Sequence, residues 1–540
     1  MEKYFHNPIL SGFHSDPSIC RVGEDYYLVT STFVYFPGLP VFHSKDLIHW
    51  EHIGNAIERS DQIDFSKSAF SEGLWAPTIR WNDGIFYIVN TLVQEGREAI
   101  RLNFIVTAKD PAGPWSDPIV IQGADGIDSS LFFDDDGRLW YCGNFIGEEV
   151  KYEGHQGIYL NEMDPETLQF IGKRKVILDG ASIRGKWTES PHIYKKDGYY
   201  YLMISEGGTF TNHCVMMFRS KTIDGEYEVC LRNPILSHRH LPLSYPIVAT
   251  GHSDLVVTQN GEWWMVLLGV RPYSGFNYNL GRETFLVPLR WEEDGFPLVD
   301  TPDGLVDEWI PCPDLPPAYP PPKSPAEHFE RKNLSPDWCG IRSMKRDFYS
   351  LEERPGCLRI RTGKEKLSDF RVTPCFLGKR QEHMYFGTGT FMEFCPQENE
   401  EAGIALVQSD EFHYIYTVTR KQGRILLQLY QNENAAAAVN YDFDGRMIKR
   451  TDVAVMELPA YEEYIYLYVQ GTKDQYHFYY GFTEGEYILF AKDVDGTLLS
   501  TTRAGGFVGT FVGVYASANG EVSENHADYH WFENYPTGTK

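Results

Sequence analysis

A short pattern recurs five times in the first half of the chain. Each copy has a head residue, an apolar run, a turn nine positions after the head, and an aromatic run behind the turn. In the fourth copy Glu189 is the head, Asp197-Gly198 is the turn, and Tyr199-Tyr-Tyr-Leu202 follows. Two such runs around an Asp-Gly pair are typical of a β-hairpin. The chain therefore repeats one hairpin unit five times.

The spacing of the copies predicts the architecture. Successive heads lie 59, 53, 61 and 63 positions apart, and in the first copy Asp25 takes the place of the turn glycine. Hairpin repeats of about fifty to sixty residues are typical of a propeller blade or a solenoid coil. Five copies predict a five-bladed β-propeller over residues 1–305. The heads, which a propeller would bring to one end of its central channel, are Asp16, Trp75, Asp128, Glu189 and His252.

Taken one at a time, the heads have ordinary structural explanations. Asp16 before a proline suits a turn, Asp128 suits a cap, and Glu189 suits the surface. Trp75 suits a core, and for His252 a buried inner-strand histidine is as good an explanation as a site. Three carboxylates, an indole and an imidazole at one repeat position do not make a packed core. The repeat therefore predicts a functional site at one end of the channel.

Composition narrows the class of protein. The chain has 540 residues, too many for one core, and a formal net charge of −26. Aromatic residues make up 15% of it, with 48 Gly and 31 Pro, which favours short strands and turns over long helices. The negative charge disfavours nucleic acid and anionic membranes as partners and favours a neutral or cationic ligand.

The termini and cysteines point to a cytoplasmic location. Residues 1–8 contain no apolar run, so no signal peptide is expected, and no stretch approaches the length of a membrane span. The nine cysteines are odd in number and show no CxxC spacing. We expect them to be free thiols in a reducing cytoplasm, not a disulfide framework or a zinc site.

Carboxylates gathered on one rim suit acid–base chemistry. Glycoside hydrolysis needs one ionised carboxylate and one carboxylic acid, and it requires no metal or organic cofactor. A third carboxylate nearby raises the pKa of the acid, because like charges disfavour joint ionisation. Aromatic side chains such as Trp75 and Phe33 offer flat apolar faces to a sugar ring, and an arginine would bind its hydroxyls.

Several motifs resemble family 43 glycoside hydrolases, in particular the two-domain β-xylosidases of that family. The resemblance runs through the first half and continues into the second. The segments that carry it are 7–19, Thr30-Ser-Thr-Phe33, Phe36-Pro-Gly38, 41–50, Leu74-Trp-Ala-Pro77, Asp128-Ser-Ser-Leu-Phe132, Glu189-Ser-Pro-His-Ile-Tyr194, Glu206-Gly-Gly-Thr209, Gly251-His-Ser-Asp-Leu-Val256 and Leu280-Gly-Arg-Glu-Thr284.

The resemblance implies an inverting mechanism with named roles. Asp16 resembles the general base, Glu189 the general acid, and Asp128 the residue that tunes and orients that acid. Arg282 is similar to an arginine that contacts substrate hydroxyls beside the base. The pocket walls would be Phe33 and Trp75, and His252 would be the histidine of the central channel.

The chain departs from the family pattern in three places. Ser190 follows the acid where a glycine is usual, so its hydroxyl would crowd or hydrogen-bond the acid. Thr78 stands where other members carry polar or acidic residues after Trp-Ala-Pro. The segment between Arg271-Pro-Tyr273 and Leu280-Gly-Arg282 is short, which predicts a trimmed loop at the pocket rim. These departures bear on substrate preference more than on the reaction type.

The second half of the chain predicts a separate domain. Residues 306–327 hold eight prolines, which predicts an extended linker laid along a surface. Alternating apolar runs over residues 328–540 predict an antiparallel β-sandwich. It would either bind sugar polymer by itself or pack on the active-site face of the propeller. The resemblance favours packing, with Phe507 of a Gly-Gly-Phe loop closing the pocket.

The sequence thus predicts an all-β chain, a five-bladed β-propeller followed by an antiparallel β-sandwich. The expected activity is an inverting exo-glycosidase, a xylan 1,4-β-xylosidase acting on xylo-oligosaccharides. An α-L-arabinofuranosidase or a bifunctional enzyme is the near alternative, and a non-catalytic sugar-binding or protein-binding propeller is the distant one. Expected partners are a small oligosaccharide and, in a homo-oligomer, further copies of the chain. No cofactor is expected to be required. Whether a divalent cation such as calcium binds near His252 is left open by the sequence.

Overall fold

The computed structural model describes residues 3–95, 100–344, 347–434 and 447–538. Its helical segments there are short, and they span Gly180–Ile183, Gly496–Leu499 and Thr501–Ala504. No helix in the described ranges is long and apolar enough to cross a membrane. The fold is all-β, a five-bladed propeller followed by an antiparallel sandwich, and this prediction is confirmed.

Each blade is an antiparallel sheet formed by one continuous stretch of chain. Blade 1 comprises Ser18–Val22, Asp25–Val29, Gly38–Ser44 and Glu51–Ile57; blade 2 comprises Gly73–Leu74, Thr78–Asn82, Ile85–Gln94, Ile100–Ala108 and Ile119–Val120; blade 3 comprises Ser130–Phe133, Leu139–Phe145, Gly157–Met163 and Phe170–Asp179; blade 4 comprises Glu189–Lys196, Tyr199–Glu206, Cys214–Ser220, Glu228–Val229 and Leu236–Ser237; blade 5 comprises Val248–Val257, Trp263–Val270, Glu283–Trp291 and Pro297–Val299.

The repeated turns join the first two strands of blades 1, 3, 4 and 5, and in blade 2 the turn joins Thr78–Asn82 to Ile85–Gln94. In blade 4 a two-residue turn pairs Lys196 with Tyr199, and both turn residues, Asp197 at φ 49° and Gly198 at φ 74°, are left-handed. Two consecutive left-handed residues match the twist of the flanking strands. The prediction for blade 1 was wrong in detail. Asp25 begins the second strand, and Gly23 at φ 64° supplies the left-handed turn residue instead.

The propeller closes without exchanging a strand between its first and last blades. The strand Tyr4–His6 pairs with Trp309–Pro311 beside the blades. The Asn7 side chain then joins the N-terminal segment to blade 5, because its amide donates to the Leu286 carbonyl at 2.9 Å and accepts from the Leu286 N–H at 3.0 Å. Apolar packing between blades completes the closure, as in the cluster that contains Phe42, Trp264 and Phe285.

The sandwich consists of an eight-stranded and a six-stranded sheet. The eight-stranded sheet comprises Ala326–Glu327, Tyr349–Ser350, Leu358–Arg361, Tyr385–Phe394, Tyr464–Thr472, Gln475–Thr483, Glu486–Asp495 and His526–Pro536; the six-stranded sheet comprises Phe376–Arg380, Glu401–Val407, His413–Lys421, Arg424–Asn434, Ile448–Glu457 and Phe511–Ser517. Alternate side chains of both sheets meet in one core, in which Tyr414, Leu427 and Phe478 are buried.

The proline-rich segment between the two domains lies along the propeller. Several of its backbone N–H groups donate to the propeller, among them Asp314 to the Glu262 carboxylate at 3.1 Å and Ala318 to Asp46 at 2.8 Å. Proline-rich chain is semi-rigid and lacks donors for a sheet. The segment therefore delivers the chain to the sandwich along a fixed surface path.

The six-stranded sheet packs directly on the propeller. A two-residue strand pair links Tyr35–Phe36 of the propeller to Gly340–Ile341 of the sandwich. One apolar cluster crosses the contact, and within it the rings of Tyr35 and Phe511 stack with centroids 3.6 Å apart. Arg380 adds a hydrogen bond of 2.7 Å from its Nε to the Phe13 carbonyl. These buried contacts hold the sandwich against the end of the channel where the heads lie.

Candidate active site

Asp16 occupies a buried position just before the inner strand of blade 1. Ser15 donates to its Oδ2 at 2.9 Å, and the Ser31 hydroxyl donates to the same oxygen. Arg282 donates to Oδ1 at 2.8 Å and to Oδ2 at 3.3 Å, so the guanidinium grips both oxygens. Burial raises the pKa of this carboxyl, but Arg282, His252 and the two hydroxyls outweigh burial and hold it below its usual value. Asp16 is therefore ionised at neutral pH.

Glu189 begins the inner strand of blade 4 and stays partly exposed. Burial, together with the charge of Asp16, raises the pKa of its carboxyl to about 7, and Arg282 opposes the rise. A carboxyl with this pKa holds a proton at mildly acidic pH and can release it. Two carboxyls of one rim thus differ in protonation state.

Asp128 lies beside this pair and is itself buried. Burial raises the pKa of its carboxyl well above the usual range, and the charges of Glu189 and Asp16 raise it further. A backbone hydrogen bond from Ser190, the residue after Glu189, holds the carboxyl in place. Neighbouring carboxylates resist joint ionisation, so the charge of Glu189 favours the protonated form of Asp128.

His252 contacts two of the three acids. Its Nδ1 lies 3.6 Å from Asp16 Oδ1 and 4.0 Å from Asp128 Oδ2, and its backbone N–H donates to the Ser205 hydroxyl at 2.7 Å. Burial lowers the pKa of the imidazole, and the charge of Asp16 opposes that effect. The ring therefore links the heads of blades 1, 3 and 5.

Left-handed backbone recurs through the site. Asp16, Asp128 and His252 have φ of 56°, 57° and 47°, Phe33 has 51°, and Ser190 has 54°. Such conformations are uncommon for residues other than glycine and cost of order 1–3 kcal/mol each. At Ser190 the conformation coincides with a break in strand register between Glu189 and His192. The bulge re-aims Glu189 relative to the rest of its strand.

Aromatic rings form one wall of the site. Phe33 lies 6.0 Å from Trp75 and 5.9 Å from Phe507 between ring centroids, and the Phe507 ring is nearly parallel to it at 29°. The Arg282 guanidinium carbon lies 5.5 Å from the Phe33 centroid and 5.6 Å from that of Phe507. Exposed Phe210 lies 6.5 Å from Phe507. Flat apolar faces thus lie next to the arginine that grips Asp16.

The sandwich contributes Phe507 through a short loop that docks on blade 2. The Phe507 N–H donates to the Ser71 hydroxyl at 2.9 Å, and Trp75 Nε1 donates to the Ser71 carbonyl at 3.2 Å. Gly506 has φ 77°, and a β-carbon there would lie 2.2 Å from the Ser71 oxygen. Only glycine therefore allows the loop to approach this closely.

A buried hydrogen-bonded cluster spans the channel further along the inner strands. Arg80 donates to the two oxygens of Asp254 at 2.7 and 3.2 Å, and its Nη2 lies 2.8 Å from His192 Nδ1. Ser18 and Tyr194 each donate to Asp254 at 2.6 Å. Blades 1, 2, 4 and 5 are thereby tied together beneath the acids. In the ranges that the structure describes, no three His, Cys, Asp or Glu side chains form a metal-binding group.

The structure brings all eight residues singled out in the sequence to this end of the channel. Sequence reasoning missed Ser15, Ser31, Thr209, Ser71 and Phe210 as partners of those residues. Ser31 and Thr209 lie within motifs that carry the family resemblance, and that was the available signal. Ser71 gave no such signal in the sequence, because its contact with Phe507 joins residues 436 positions apart.

Family models match both domains of the chain, and similar proteins align with nearly its whole length. The model of "Glycosyl hydrolases family 43" matches residues 5–297, and that of "Beta xylosidase C-terminal Concanavalin A-like domain" matches residues 326–534. A protein of Butyrivibrio fibrisolvens named "Xylosidase/arabinosidase" is 40% identical over 535 residues, 98% of each chain. "Non-reducing end alpha-L-arabinofuranosidase BoGH43B" of Bacteroides ovatus is 39% identical, over 98% of this chain and 95% of that one.

Among solved structures, the fold is similar to that of a "xylan beta-1,4-xylosidase" from Bacillus halodurans C-125. The TM-score is 0.90 at 34% sequence identity, over 98% of this chain and 99% of that chain. Both domains and their order are therefore shared with that enzyme.

Proposed function

The chain belongs to glycosyl hydrolase family 43, and from that premise we propose that it is an inverting exo-β-xylosidase. Its substrate would be a xylo-oligosaccharide, from which it releases the terminal β-1,4-linked D-xylose. The observation that carries the proposal is the opposite pKa shift of two carboxyls on one rim. The pKa of Asp16 is lowered and that of Glu189 is raised to about 7.

In the proposed reaction Asp16 is the base and Glu189 the acid. Asp16 takes a proton from water as the water oxygen bonds to the anomeric carbon. The bond from that carbon to the leaving oxygen breaks, and Glu189 gives its proton to that oxygen. This displacement is a single step that conserves protons and needs no cofactor, and it inverts the anomeric configuration because water attacks from the face opposite the leaving group.

Asp128 and Arg282 support this exchange. Asp128 accepts the Ser190 hydrogen bond next to Glu189, and joint ionisation of the two carboxyls is disfavoured, since the charge of Glu189 raises the pKa of Asp128. Arg282 keeps Asp16 ionised, and its Nη groups also donate to the Thr209 hydroxyl at 3.0 Å and to the Phe507 carbonyl at 3.4 Å. Its Nε is buried without a hydrogen-bond partner, which suits a substrate hydroxyl.

Phe33, Trp75 and Phe507 favour exo action on short chains. Their rings line one wall, and Phe507 closes it from the sandwich. A sugar ring can stack on such faces, while the covering loop limits the site to a chain end. The sandwich thus acts in catalysis as part of the pocket.

An α-L-arabinofuranosidase is the second candidate, since relatives at similar identity are named xylosidase/arabinosidase and arabinofuranosidase. Xylopyranose and arabinofuranose present similar hydroxyls to the same acids. A sugar-binding propeller without activity is the remaining alternative, and an acid with a raised pKa argues against it because binding does not require one.

Parallel assays on 4-nitrophenyl β-D-xylopyranoside and 4-nitrophenyl α-L-arabinofuranoside test the proposal. We expect the larger kcat/KM on the xyloside. A larger value on the arabinofuranoside would assign the second candidate. Binding of xylo-oligosaccharide without hydrolysis of either glycoside would assign a sugar-binding propeller.

Three further expectations stay predictions of the same proposal. The reaction should be unaffected by a chelator, and loss of activity on chelation would indicate a divalent cation near His252. The enzyme should be found in the cytoplasmic fraction of the cell.

Sedimentation of the purified chain should decide whether it forms a homo-oligomer.

A further inference from the structure

A second cavity lies in the sandwich, on the face of the six-stranded sheet that is turned away from the sandwich core. Its volume is about 300 Å³. Leu427 and Leu429 point into the core, whereas Tyr430 on the same strand points the other way. The lining residues are Lys366, Leu367, Ser368, His413, Tyr430, Asn432, Ile448, Arg450 and Asn519. A volume of this size is at the lower end of ligand-binding pockets and fits a monosaccharide.

The cavity is separate from the catalytic pocket. The lining residues within the described ranges belong to the sandwich, while the three acids belong to the propeller. Tyr430 and Leu367 form the boundary, since both also belong to the apolar cluster between the domains. A ligand in the cavity would therefore be held beside the domain contact without touching the acids.

The charged lining residues are basic. Lys366 and Arg450 line the cavity, and no Asp or Glu is among the described lining residues, although the chain carries a net charge of −26. Their carboxylate partners are Asp369 at 3.9 Å and Asp452 at 3.3 Å, both substantially exposed. Exposed ion pairs of this kind contribute little. The cavity thus offers positive charge to an incoming anion.

Arg450 packs on an aromatic ring, and its Nε and Nη2 each donate to Asp452 Oδ1 at 3.3 Å. Its guanidinium carbon lies 3.6 Å from the centre of the Tyr430 ring. Its Nη2 donates at 3.2 Å to Gln428 Oε1, an oxygen that also accepts from Lys421 at 2.7 Å. Two cations share one neutral oxygen, and the nearby buried Glu401 is already bonded to the Tyr430 hydroxyl at 2.8 Å. A planar cation fixed in this way suits a carboxylate.

Asn432 supplies an independent observation. Its side chain is 5% exposed, and its amide nitrogen lies 2.9 Å from His413 Nε2. Its Oδ1 is buried and has no hydrogen-bond partner. A buried acceptor without a partner costs about 1–3 kcal/mol unless a ligand or water donates to it. A sugar hydroxyl would supply that donor.

We propose that this cavity is a second, non-catalytic saccharide site that binds an acidic sugar of the uronic-acid class. The carboxylate of the sugar accepts hydrogen bonds from Arg450 and Lys366, and a ring hydroxyl of the sugar donates to Asn432 Oδ1. The site goes beyond the proposed activity, because it does not depend on which terminal sugar the propeller removes. It would hold oligosaccharides that carry acidic side groups.

Calorimetric titration of the full chain, with D-xylose saturating the catalytic pocket, tests the proposal. D-glucuronate should bind, while D-glucose, which has CH₂OH in place of the carboxylate, should bind at least roughly tenfold more weakly. Acetate should also bind at least roughly tenfold more weakly, because it lacks the hydroxyls. Equal binding of glucose, equal binding of acetate, or no binding of glucuronate would each overturn the proposal.

Variants assign the binding to the cavity. Arg450→Gln and, at the exposed Lys366, Lys366→Gln should each weaken glucuronate binding roughly tenfold. The matched control is Lys364→Gln, which removes the same charge from a side chain 64% exposed outside the lining. All three should retain wild-type hydrolysis of the aryl xyloside. Unchanged glucuronate affinity in both cavity variants would contradict the assignment.

Discussion

Arg282 acts on two carboxyls at once. It grips both oxygens of Asp16, and its charge lowers the pKa of Asp16 and of Glu189. In the proposed mechanism Asp16 must be ionised and Glu189 protonated. Activity is then lost as pH falls through the depressed pKa of Asp16, and lost again as pH rises through the pKa of Glu189 near 7. One guanidinium therefore helps to set both limbs of the pH profile.

Arg282→Gln should move the whole bell-shaped profile of kcat/KM to higher pH, because both pKa values rise without the positive charge. The measurement is kcat/KM against pH on an aryl xyloside. The control is Thr209→Val, which removes a 3.0 Å partner of Arg282 but keeps the charge beside Asp16. A lower maximum with both limbs unmoved would mean that Arg282 only holds the substrate.

Glu189→Ala should separate substrates by their leaving groups. Without the acid, hydrolysis of xylobiose should fall by roughly 10²–10⁴-fold, whereas an aryl glycoside with an acidic phenol leaving group should lose far less. Glu206→Gln is the control, since Glu206 also belongs to blade 4 and its pKa is also raised by burial. Equal losses on both substrates would show that Glu189 does not donate the proton.

Two features of Ser190, the residue after the acid Glu189, lower the stability of the fold. Its backbone is left-handed at φ 54°, and its buried hydroxyl has no hydrogen-bond partner. The hydroxyl therefore does not bond the acid, contrary to one of the two effects expected from the sequence. Glycine would adopt this conformation without steric strain.

Ser190→Gly should raise stability by about 1 kcal/mol and leave kcat nearly unchanged. Thermal unfolding of the variant should show a melting temperature higher by about 1–2 °C. Ser190→Ala separates the two causes, because it removes the hydroxyl and keeps the strained β-carbon. A destabilised glycine variant would mean that the β-carbon supports the bulge more than the backbone strain costs.

At the scale of elements, the loop that carries Phe507 depends on two glycines that differ in surroundings. Gly505 and Gly506 are both left-handed, with φ of 74° and 77°. A β-carbon on Gly505 would meet open space, whereas one on Gly506 would lie 2.2 Å from the Ser71 hydroxyl oxygen. Substitutions at these two glycines therefore distinguish the effect of backbone strain from the effect of a clash between the loop and blade 2.

Gly506→Ala should therefore lower kcat/KM on xylobiose by roughly tenfold or more, because it displaces Phe507 from the Phe33 ring. Gly505→Ala introduces backbone strain, since φ 74° with ψ −170° is a conformation that favours glycine, but it introduces no clash and should lose much less activity. Steady-state kinetics on the two variants provide the test. Equal losses would show that backbone strain, not the position of Phe507, controls the rate.

Much of the element pattern could be predicted from the sequence. The period of the hairpins predicted five blades, and the alternating apolar runs of residues 328–540 form the strands of the two sandwich sheets. Hairpin turns and alternating apolar residues are local signals, so they are visible in sequence. The three acids were found because they share one repeat position.

What escaped prediction depends on contacts between distant segments. The bulge at Ser190 and the docking of Phe507 on Ser71 have no periodic signal, because partners from different blades or domains decide them. Blade 1 was misread at Asp25 because a glycine two residues earlier makes its turn. The cluster around Arg80 and Asp254 was missed for the same reason, since its members come from four blades.

At the scale of the whole molecule, the site is complete only when both domains are docked. The propeller provides the acids, and the sandwich provides Phe507 and the ring of Phe511 that stacks on Tyr35. Phe13 and Phe33 are buried in the same interdomain cluster. Separating the domains would expose these rings and open the pocket, so we regard the two domains as one catalytic unit.

The central claim is that the docked molecule inverts while it removes single xylose units from a chain end. Proton NMR of xylobiose hydrolysis, recorded before mutarotation, tests this claim most directly. The account predicts that the newly released non-reducing-end sugar appears first as α-D-xylose. Initial release of the β-anomer would indicate retention and contradict the roles of Asp16 and Glu189, and no release of xylose would contradict the proposed activity itself.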